Sequence, residues 1–291
     1  MRKSLLLVLL VTLTSAFSLV RAQNPAERIG PPRVLLIVRE EIKAGMMGAH
    51  NIHSANYASI FRRLGSRNER IAMVPVAGNE NEVVYITGAD SFAQLEQILQ
   101  DTDKRMNGLT GSMKAESDRL DKEASLLHAG MRDMLAVFRP ELSFNPGIDV
   151  RTMRYFSITT VRVRPGHDAQ YNEYVTKMVN VARQKAKLEG LHIAGFQVIS
   201  GAQAGTYMFF RPMKSLAEMD DPMAMRARAA MSDDMRKDAD KMVGEAVMSS
   251  ETSTYWLNPN MSYVENDFAA GDPAFWNPKP MMAAPKPKSR K

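Results

Sequence analysis

Three side chains that can exchange protons lie at helical spacing in the first third of the chain. His50, His53 and Tyr57 are separated by three and four residues, which places them on one face of a predicted helix. Histidine titrates near neutral pH and a tyrosine hydroxyl can donate a hydrogen bond, so the three could line a pocket and relay a proton. The alternative is that they are half-buried helix residues packed on a sheet edge, because no orienting carboxylate can be identified from spacing. No catalytic residue is therefore assigned from the sequence.

The two histidines could also be metal ligands, since this spacing puts both imidazoles on one side of a helix. A third ligand is not visible in the sequence, so we predict no metal site. The chain has no cysteine, which excludes thiolate metal sites and thiol nucleophiles. The chain has 22 methionines. Seven of them crowd part of the second half and could hold Cu(I), although methionine more often fills irregular apolar space: Met219, Met223, Met225, Met231, Met235, Met242 and Met248.

Charge and motifs exclude several classes of protein. The net charge is +6, but residues 23–278 carry only 30 basic against 32 acidic side chains, which argues against a nucleic-acid surface. The sequence contains no glycine-rich phosphate loop, no Gly-x-Ser-x-Gly elbow and no His-Glu-x-x-His. Common hydrolase and nucleotide-binding mechanisms therefore have no support.

The two ends of the chain predict export and disorder. Residues 1–22 have the pattern of a secretory signal peptide, in which Arg2 and Lys3 precede an apolar stretch that ends near Ala22. We expect the mature protein in the periplasm or outside the cell, without a stable membrane anchor after cleavage. Residues 23–32 are predicted to be a linker and the Pro- and Lys-rich residues 266–291 a disordered tail.

The middle of the chain repeats itself about 120 residues apart. Gly45, Gly78 and Ser91 return as the three residues Gly166, Gly201 and Ser215, at offsets of 121, 123 and 124. Apolar runs and helical segments follow the same order around both sets. Residues 33–148 and 149–265 are therefore predicted to be two copies of one structural unit.

In each unit, the succession of apolar runs and helical segments predicts the element order β-α-β-β-α-β, which is the ferredoxin-like order. A long helix is predicted in each, at Met113–Phe138 and Met231–Met248, because apolar residues recur at helical spacing. The last strand of each unit is predicted at Glu141–Phe144 and at Ser253–Leu257. A sheet with helices on one side leaves its other face bare, so we expect the two sheets to pack face to face.

In element order, duplication and the two glycine-anchored hairpins, residues 33–263 resemble the dimeric α+β barrel superfamily, which includes antibiotic-biosynthesis monooxygenase-like proteins. The resemblance implies an α+β fold in which two ferredoxin-like units form an intramolecular dimeric α+β barrel, so that the protein is a monomer with an internal pseudo-dimer. It also implies a ligand site between sheet and helices. Some relatives bind haem through a helix histidine, but nothing around His128 marks such a site, and we predict no cofactor.

The repeat offset places Tyr171 and Tyr174 at the positions of the two helix histidines in the first unit. The candidate pocket residues are therefore His50, His53, Tyr57, Tyr171 and Tyr174. The sequence predicts a small-molecule-binding or structural module with a small hydrophobic ligand. The alternative is a cofactor-independent monooxygenase-like enzyme that acts on a small aromatic compound. In that enzyme His50, His53 and Tyr57 would orient and deprotonate the compound, and would converge on an enclosed cavity of a few hundred Å³.

Overall fold

The structure, a computed structural model, describes residues 30–277. The predicted signal peptide, most of the predicted linker and residues 278–291 of the predicted tail lie outside this range. Within it, no helix is both long enough and apolar enough to cross a membrane.

Eight antiparallel strands close into one barrel. They are β1 Val34–Ile42, β2 Ile71–Ala77, β3 Glu82–Ala89, β4 His128–Phe138, β5 Tyr155–Val163, β6 Ala194–Ser200, β7 Thr206–Met213 and β8 Val247–Leu257. Around the barrel their order is β1-β3-β2-β8-β5-β7-β6-β4. Strands β1 to β4 form one contiguous half of this sheet and β5 to β8 the other. The structure is therefore a mixed α and β fold built on a closed eight-stranded barrel.

The two halves meet edge to edge as well as face to face. At one seam β2 pairs with β8, from Met73 opposite Leu257 to Ala77 opposite Thr254. At the other, β4 pairs with β6, from Leu135 opposite Ser200 to Phe138 opposite Phe196. The predicted pair of separate sheets is thus one continuous sheet, and its closure leaves no strand edge unpaired.

Apolar side chains of both halves fill the inside of the barrel. Leu35, Ile37 and Met134 point inward from the first half and pack with Phe196 and Phe210 of the second. Burying each such large side chain contributes roughly 1.5 to 3 kcal/mol. The inner face of the barrel is therefore the main core. A polar site between the sheet and the helices would have to be formed by side chains on the outer face.

The helices cover the outside of the barrel. The first half carries α1 Met47–Leu64, α2 Phe92–Asn107 and α3 Gly111–Leu127. The second carries α4 Asp168–Glu173, a π-helical segment at Tyr174–Val179, α5 Asn180–Lys185, α6 Met223–Ala229 and α7 Asp233–Ala246. Ser91 and Ser215 both cap the next helical turn, because each hydroxyl accepts a backbone N–H bond.

The long predicted helices end earlier than expected. Residues 128–138 form strand β4, not the second half of a helix, and residues 247–252 belong to β8. Each helix passes directly into its strand with no intervening loop. No turn residue, such as glycine or proline, therefore stands between helix and strand to mark the boundary in the sequence. The strand predicted at Glu141–Phe144 is a 3₁₀ turn at Pro140–Leu142 and an isolated bridge from Phe144 to Ile193.

Part of the predicted tail is folded. Residues 266–277 contain two short helices, α8 Asn266–Ala269 and α9 Pro273–Trp276. Trp276 is buried against the barrel core, where it contacts the ring of Phe268 edge-on with 5.2 Å between the ring centroids. The disorder prediction for these residues is therefore wrong, because the three aromatic side chains of Phe268, Phe275 and Trp276 anchor the segment on the barrel core.

The repeated glycines have a physical role at the seams. Gly78 and Gly201 both have positive φ angles, 129° and 82°. A Cβ at Gly78 would lie 2.6 Å from the Ser253 hydroxyl of β8, and one at Gly201 would overlap the backbone carbonyl of Asp133 in β4. At each seam, therefore, a side chain would push the two halves apart.

We expect Gly201→Ala to destabilise the protein more than Gly166→Ala does. Both glycines have a left-handed φ, 82° and 84°, but a Cβ at Gly166 would meet no atom within 4 Å. Both variants should lose about 1 kcal/mol from backbone strain, and the overlap with Asp133 should cost Gly201→Ala roughly 2 kcal/mol more. Urea unfolding followed by circular dichroism measures both values. Equal midpoints for the two variants would contradict the role of Gly201 at the seam.

Candidate functional site

A cluster of polar side chains lies between the outer face of the barrel and helices α1 and α3. It surrounds a partly enclosed cavity of about 280 Å³. The cavity wall includes the polar residues Glu40, His53, Ser54, Tyr57, Arg70, Tyr85 and His128. These side chains come from helix α1, from three strands and from the segment before β2.

Alternation along β1 directs Glu40 to this face. Leu35 and Ile37 point into the barrel core, so Glu40, which is three residues after Ile37, points the other way, toward the helices. Ile42 points the same way and packs with residues of the outer face. The strand thus uses one face for the core and the other for the site.

A β-bulge brings His128 to the same side. Along β4, Met131 lies opposite Glu40 and Gly130 opposite Glu41, but the register then shifts so that His128 lies opposite Ile42. Directly opposite residues of an antiparallel pair share a face, so the extra residue turns His128 outward with Met131. Without the bulge the His128 side chain would point into the apolar barrel.

Glu40, His50 and His128 form a compact group. His50 Nε2 lies 2.8 Å from Glu40 Oε2, and His128 Nε2 lies 3.5 Å from the same oxygen. The rings of His50 and His128 meet edge-on, with 5.2 Å between their centroids. His50 is fully buried and Glu40 is 8% exposed. The cavity wall therefore holds a carboxylate that faces two imidazoles.

The charge of Glu40 is maintained by its neighbours. Burial by itself would raise the pKa of this carboxyl, but the imidazoles of His128 and His50 and the positive charge of Arg70 outweigh burial and lower the pKa to about 2. Arg70 Nη2 is 3.9 Å from Glu40 Oε1, on the oxygen that the histidines leave free. Glu40 is therefore ionised at neutral pH.

Hydroxyl groups extend the polar group toward the cavity. The Tyr85 hydroxyl donates to Ser54 Oγ at 2.8 Å, and Ser54 Oγ is 3.3 Å from His50 Nε2. The Arg70 guanidinium lies over the Tyr85 ring, 4.5 Å from its centroid. Burial first, and then the charge of Glu40, raise the pKa of Tyr85, so that its hydroxyl stays protonated. These contacts hold the side chains around Glu40 in one arrangement.

His53 and Tyr57 form the side of the cavity nearest α3. His53 Nδ1 lies 3.7 Å from Glu123 Oε2, which is beyond hydrogen-bonding distance, and the Tyr57 hydroxyl donates to Asp121. Burial first, and then the electrostatic effect of the neighbouring His50 and His128 imidazoles, lowers the pKa of His53. Burial and the bond to Asp121 raise the pKa of Tyr57. His53 is thus a neutral imidazole at pH 7, while the protonated Tyr57 hydroxyl already donates its hydrogen bond to Asp121.

The structure brings together some of the residues singled out from the sequence. His53 and Tyr57 line the cavity, and His50 lies directly behind it against Glu40. Tyr171 and Tyr174 lie in the second half, where their rings are 6.1 Å apart and pack with an apolar cluster. The two tyrosines and the three residues of α1 therefore do not share a pocket.

Sequence reasoning missed Glu40 and His128. The sequence pattern assigns no role to Glu40, and it predicts a helix over His128, which lies instead at the start of strand β4. Glu40 stands in the charged run Arg39-Glu40-Glu41 after the apolar part of the strand, so its burial left no local signal. No local signal existed for His128, because the bulge that turns it outward depends on pairing with β1.

The corresponding positions of the second half are apolar. The repeat offset of 121 residues places Val161 at the position of Glu40 and Tyr171 at that of His50. Val247 corresponds to His128 by strand register. It lies opposite Val163 after a register shift, just as His128 lies opposite Ile42. Val161, Tyr171 and Val247 pack in one apolar cluster with Tyr207 and Met242. This part of the fold therefore does not need buried charges in order to pack.

A second cavity has a mainly apolar wall that both halves of the barrel contribute to. Its volume is about 160 Å³. Its wall includes Leu35, Met73, Phe196, Phe210 and Phe268.

The methionines of the second half do not gather in one place, since Met242 is in the core while Met225 is 72% exposed.

No family model matches the chain, and no curated protein matches it. Among solved structures, an anthrone oxidase-like protein is similar over 80% of this chain and 93% of its own, with 14% identity and a TM-score of 0.50. A candidate monooxygenase from Fusobacterium nucleatum covers 78% and 93% of the two chains at 10% identity, with a TM-score of 0.47. A mutant chlorite dismutase from Candidatus Nitrospira defluvii covers 81% and 96% at 10% identity, with a TM-score of 0.48. These neighbours belong to the dimeric α+β barrel superfamily. The likeness to the anthrone oxidase-like protein, at 14% identity, shows the fold alone.

We expect Glu40→Gln to destabilise the protein in a pH-dependent way. The folded pKa of about 2 lies below the ordinary value near 4.3 in the unfolded chain, so the ionised carboxylate stabilises the fold above about pH 4.5. That stabilisation disappears as the pH falls toward 2. In a chelating buffer, the variant should lose roughly 3 kcal/mol of unfolding free energy at pH 7 and progressively less below pH 4.5.

Urea unfolding between pH 7 and pH 3 measures this difference. Glu80→Gln is the matched control, because Glu80 is exposed in the turn between β2 and β3 and should show no such trend. A loss for Glu40→Gln that stays constant over this range would contradict the ionised state of Glu40.

Proposed function

We propose that the cavity beside α1 binds a small aromatic compound and that His53 removes a proton from it. The observation that carries this proposal is the buried polar group of Glu40, His50 and His128 at positions where the other half of the barrel is apolar. Such a group is costly to bury and does not serve packing, which points to a ligand or a reaction.

The cavity wall suits a ring that carries an oxygen substituent. Phe61 and Tyr263 stack with 6.1 Å between their ring centroids, and Met131 and Met261 add apolar surface. An aromatic compound can pack against these side chains. In the same wall, Arg70 offers positive charge, and the histidines offer N–H donors to an oxygen of the ligand.

His53 has the properties of a general base. Because its pKa is lowered, its imidazole is unprotonated at pH 7 and can accept a proton. In this step an O–H or C–H bond of the ligand breaks, the proton goes to the His53 imidazole, and the electron pair remains on the ligand. Glu123, 3.7 Å from Nδ1, would then stabilise the imidazolium that forms, as a carboxylate does beside a catalytic histidine.

The role of Tyr57 is to shape the wall. Its hydroxyl proton is donated to Asp121 on α3, so it is not available to the ligand while that bond is made. The ring of Tyr57 lies edge-on to that of His53, with 5.3 Å between the centroids. Tyr57 therefore positions His53 and connects α1 to α3.

Cofactor-independent oxygenation is the reaction that would follow from this proton transfer. The electron-rich anion adds dioxygen to form a C–O bond, and His53 returns its proton to the resulting peroxide anion to give a hydroperoxide. The alternative is a binding module in which the same pocket holds its ligand unchanged. A measurement of whether the bound compound is converted to product distinguishes the enzyme from the binding module.

We further propose that the chain arose by tandem duplication of one ferredoxin-like unit. The strand orders β4-β1-β3-β2 and β8-β5-β7-β6, the seam glycines and the matching serine caps support this. Because the barrel closes within one chain, a monomer with an internal pseudo-dimer is the proposed state. Export through the segment at residues 1–22 is likewise proposed from the sequence pattern.

We expect His53→Gln to bind ligand but to turn it over slowly. Anthrone and 1-naphthol are suitable probes, with binding measured by calorimetry and reaction by an oxygen electrode. Wild-type protein should bind at least one probe and consume oxygen, whereas His53→Gln should bind within a few-fold and react roughly 10² to 10⁴ times more slowly.

His167→Gln is the matched control, because His167 lies before α4 in the second half and should behave as wild type. Binding without oxygen uptake by wild-type protein would support the binding module. Absence of binding, or equal rates for His53→Gln and wild type, would overturn the role of His53.

A further inference from the structure

We propose that Glu40, His50 and His128 together hold a divalent transition-metal ion. Two imidazoles and one carboxylate are a frequent ligand set for zinc and for non-haem iron(II). This proposal goes beyond proton transfer by His53, which needs no metal, although the ion would lie in the wall of the same cavity.

The donor atoms have suitable separations. One ligand atom from each of the three residues lies within 4.8 Å of the other two. Ligands bound at about 2.0 to 2.2 Å from one ion lie roughly 3 to 4 Å from each other. The distances of 2.8 Å and 3.5 Å from Glu40 Oε2 to the two Nε2 atoms fall in or near this range. Small side-chain movements would be enough to admit an ion.

Both imidazoles face the same carboxylate oxygen. Arg70 approaches Glu40 Oε1 instead, at 3.9 Å, so Oε2 is the oxygen available for an ion. His128 Nε2 is buried and has no hydrogen-bond partner among the described residues. A buried nitrogen without a partner is costly, and an ion bound between Oε2 and the two Nε2 atoms would satisfy it.

Three separate elements hold the ligands. Glu40 is on β1, His50 on α1 and His128 at the bulge of β4. His50 is fully buried, and Glu40 and His128 also line the cavity. The ion would therefore have protein behind it and the cavity in front, where a ligand oxygen could complete its coordination.

The chemistry of the donors selects the class of metal. Two neutral imidazoles favour zinc, iron(II) or cobalt(II) over magnesium and calcium, which prefer oxygen ligands. A bound ion of this class would polarise an oxygen of the ligand and make its proton easier to remove. The ion would thus assist the base without replacing it.

Cobalt(II) alone is the probe for this site. Full-length protein is treated with a chelator, dialysed and titrated with Co²⁺, and binding is followed by visible absorption, with Zn²⁺ added afterwards as a competitor. We expect one Co²⁺ per chain and displacement by Zn²⁺. His128→Gln should weaken binding at least tenfold, because it removes one of three ligands.

Two histidine variants serve as controls. His53→Gln and His192→Gln should bind Co²⁺ within about threefold of wild type, since neither residue belongs to the proposed ligand set. His128→Asp restores a ligand atom, so it should bind Co²⁺ more tightly than His128→Gln does. This comparison distinguishes the loss of a ligand from a loss of binding that is due to misfolding. Circular dichroism checks the fold of each variant.

The proposal is overturned if wild-type protein develops no cobalt absorption or if His128→Gln binds as tightly as wild type. It is also overturned if His192→Gln alone abolishes binding. Binding of anthrone to chelator-treated protein is measured separately, so a failure of the metal site and a failure of the proposed aromatic ligand give different results.

Discussion

Closure of the barrel is the constraint on which the rest of the structure depends. Two four-stranded halves are joined by hydrogen bonds at the seams β2 to β8 and β4 to β6, so every strand has a partner on both sides. Closure directs one face of each strand into an apolar interior and leaves the other face for the helices. Glycines at Gly78 and Gly201 allow the backbones of the two halves to approach at these seams.

The candidate site is a consequence of this division between two faces. The inner face is filled mainly by apolar side chains, apart from the ion pair of Arg39 with Glu82, and the candidate polar group gathers under the helices. There, β1 supplies Glu40, α1 supplies His50 and His53, and the bulge in β4 supplies His128. The bulge has a matching irregularity between β5 and β8, so it belongs to the shared framework. What differs in the first half is the chemistry of the side chain that the bulge turns outward.

The contrast between the two halves indicates where function resides. Val161, Tyr171 and Val247 take the places of the carboxylate and the two imidazoles, and they pack as an ordinary apolar cluster. One half can therefore stabilise the barrel while the other carries a polar cavity. In this arrangement the apolar half compensates for the cost of burying Glu40, whose charge is maintained by His50, His128 and Arg70.

The sequence by itself determined the repeat, the order of most elements and the histidine face of α1, because these depend on local periodicity and on glycines and caps that act over a few residues. Tertiary structure decided the rest. Residues 128–138 became a strand because β1 and β6 offered backbone partners on both sides, although the spacing of their apolar residues also fits a helix. The meeting of Glu40 and His128, 88 residues apart in the chain, depends on strand pairing and a one-residue bulge. Neither leaves a local pattern, since both are set by contacts between distant segments.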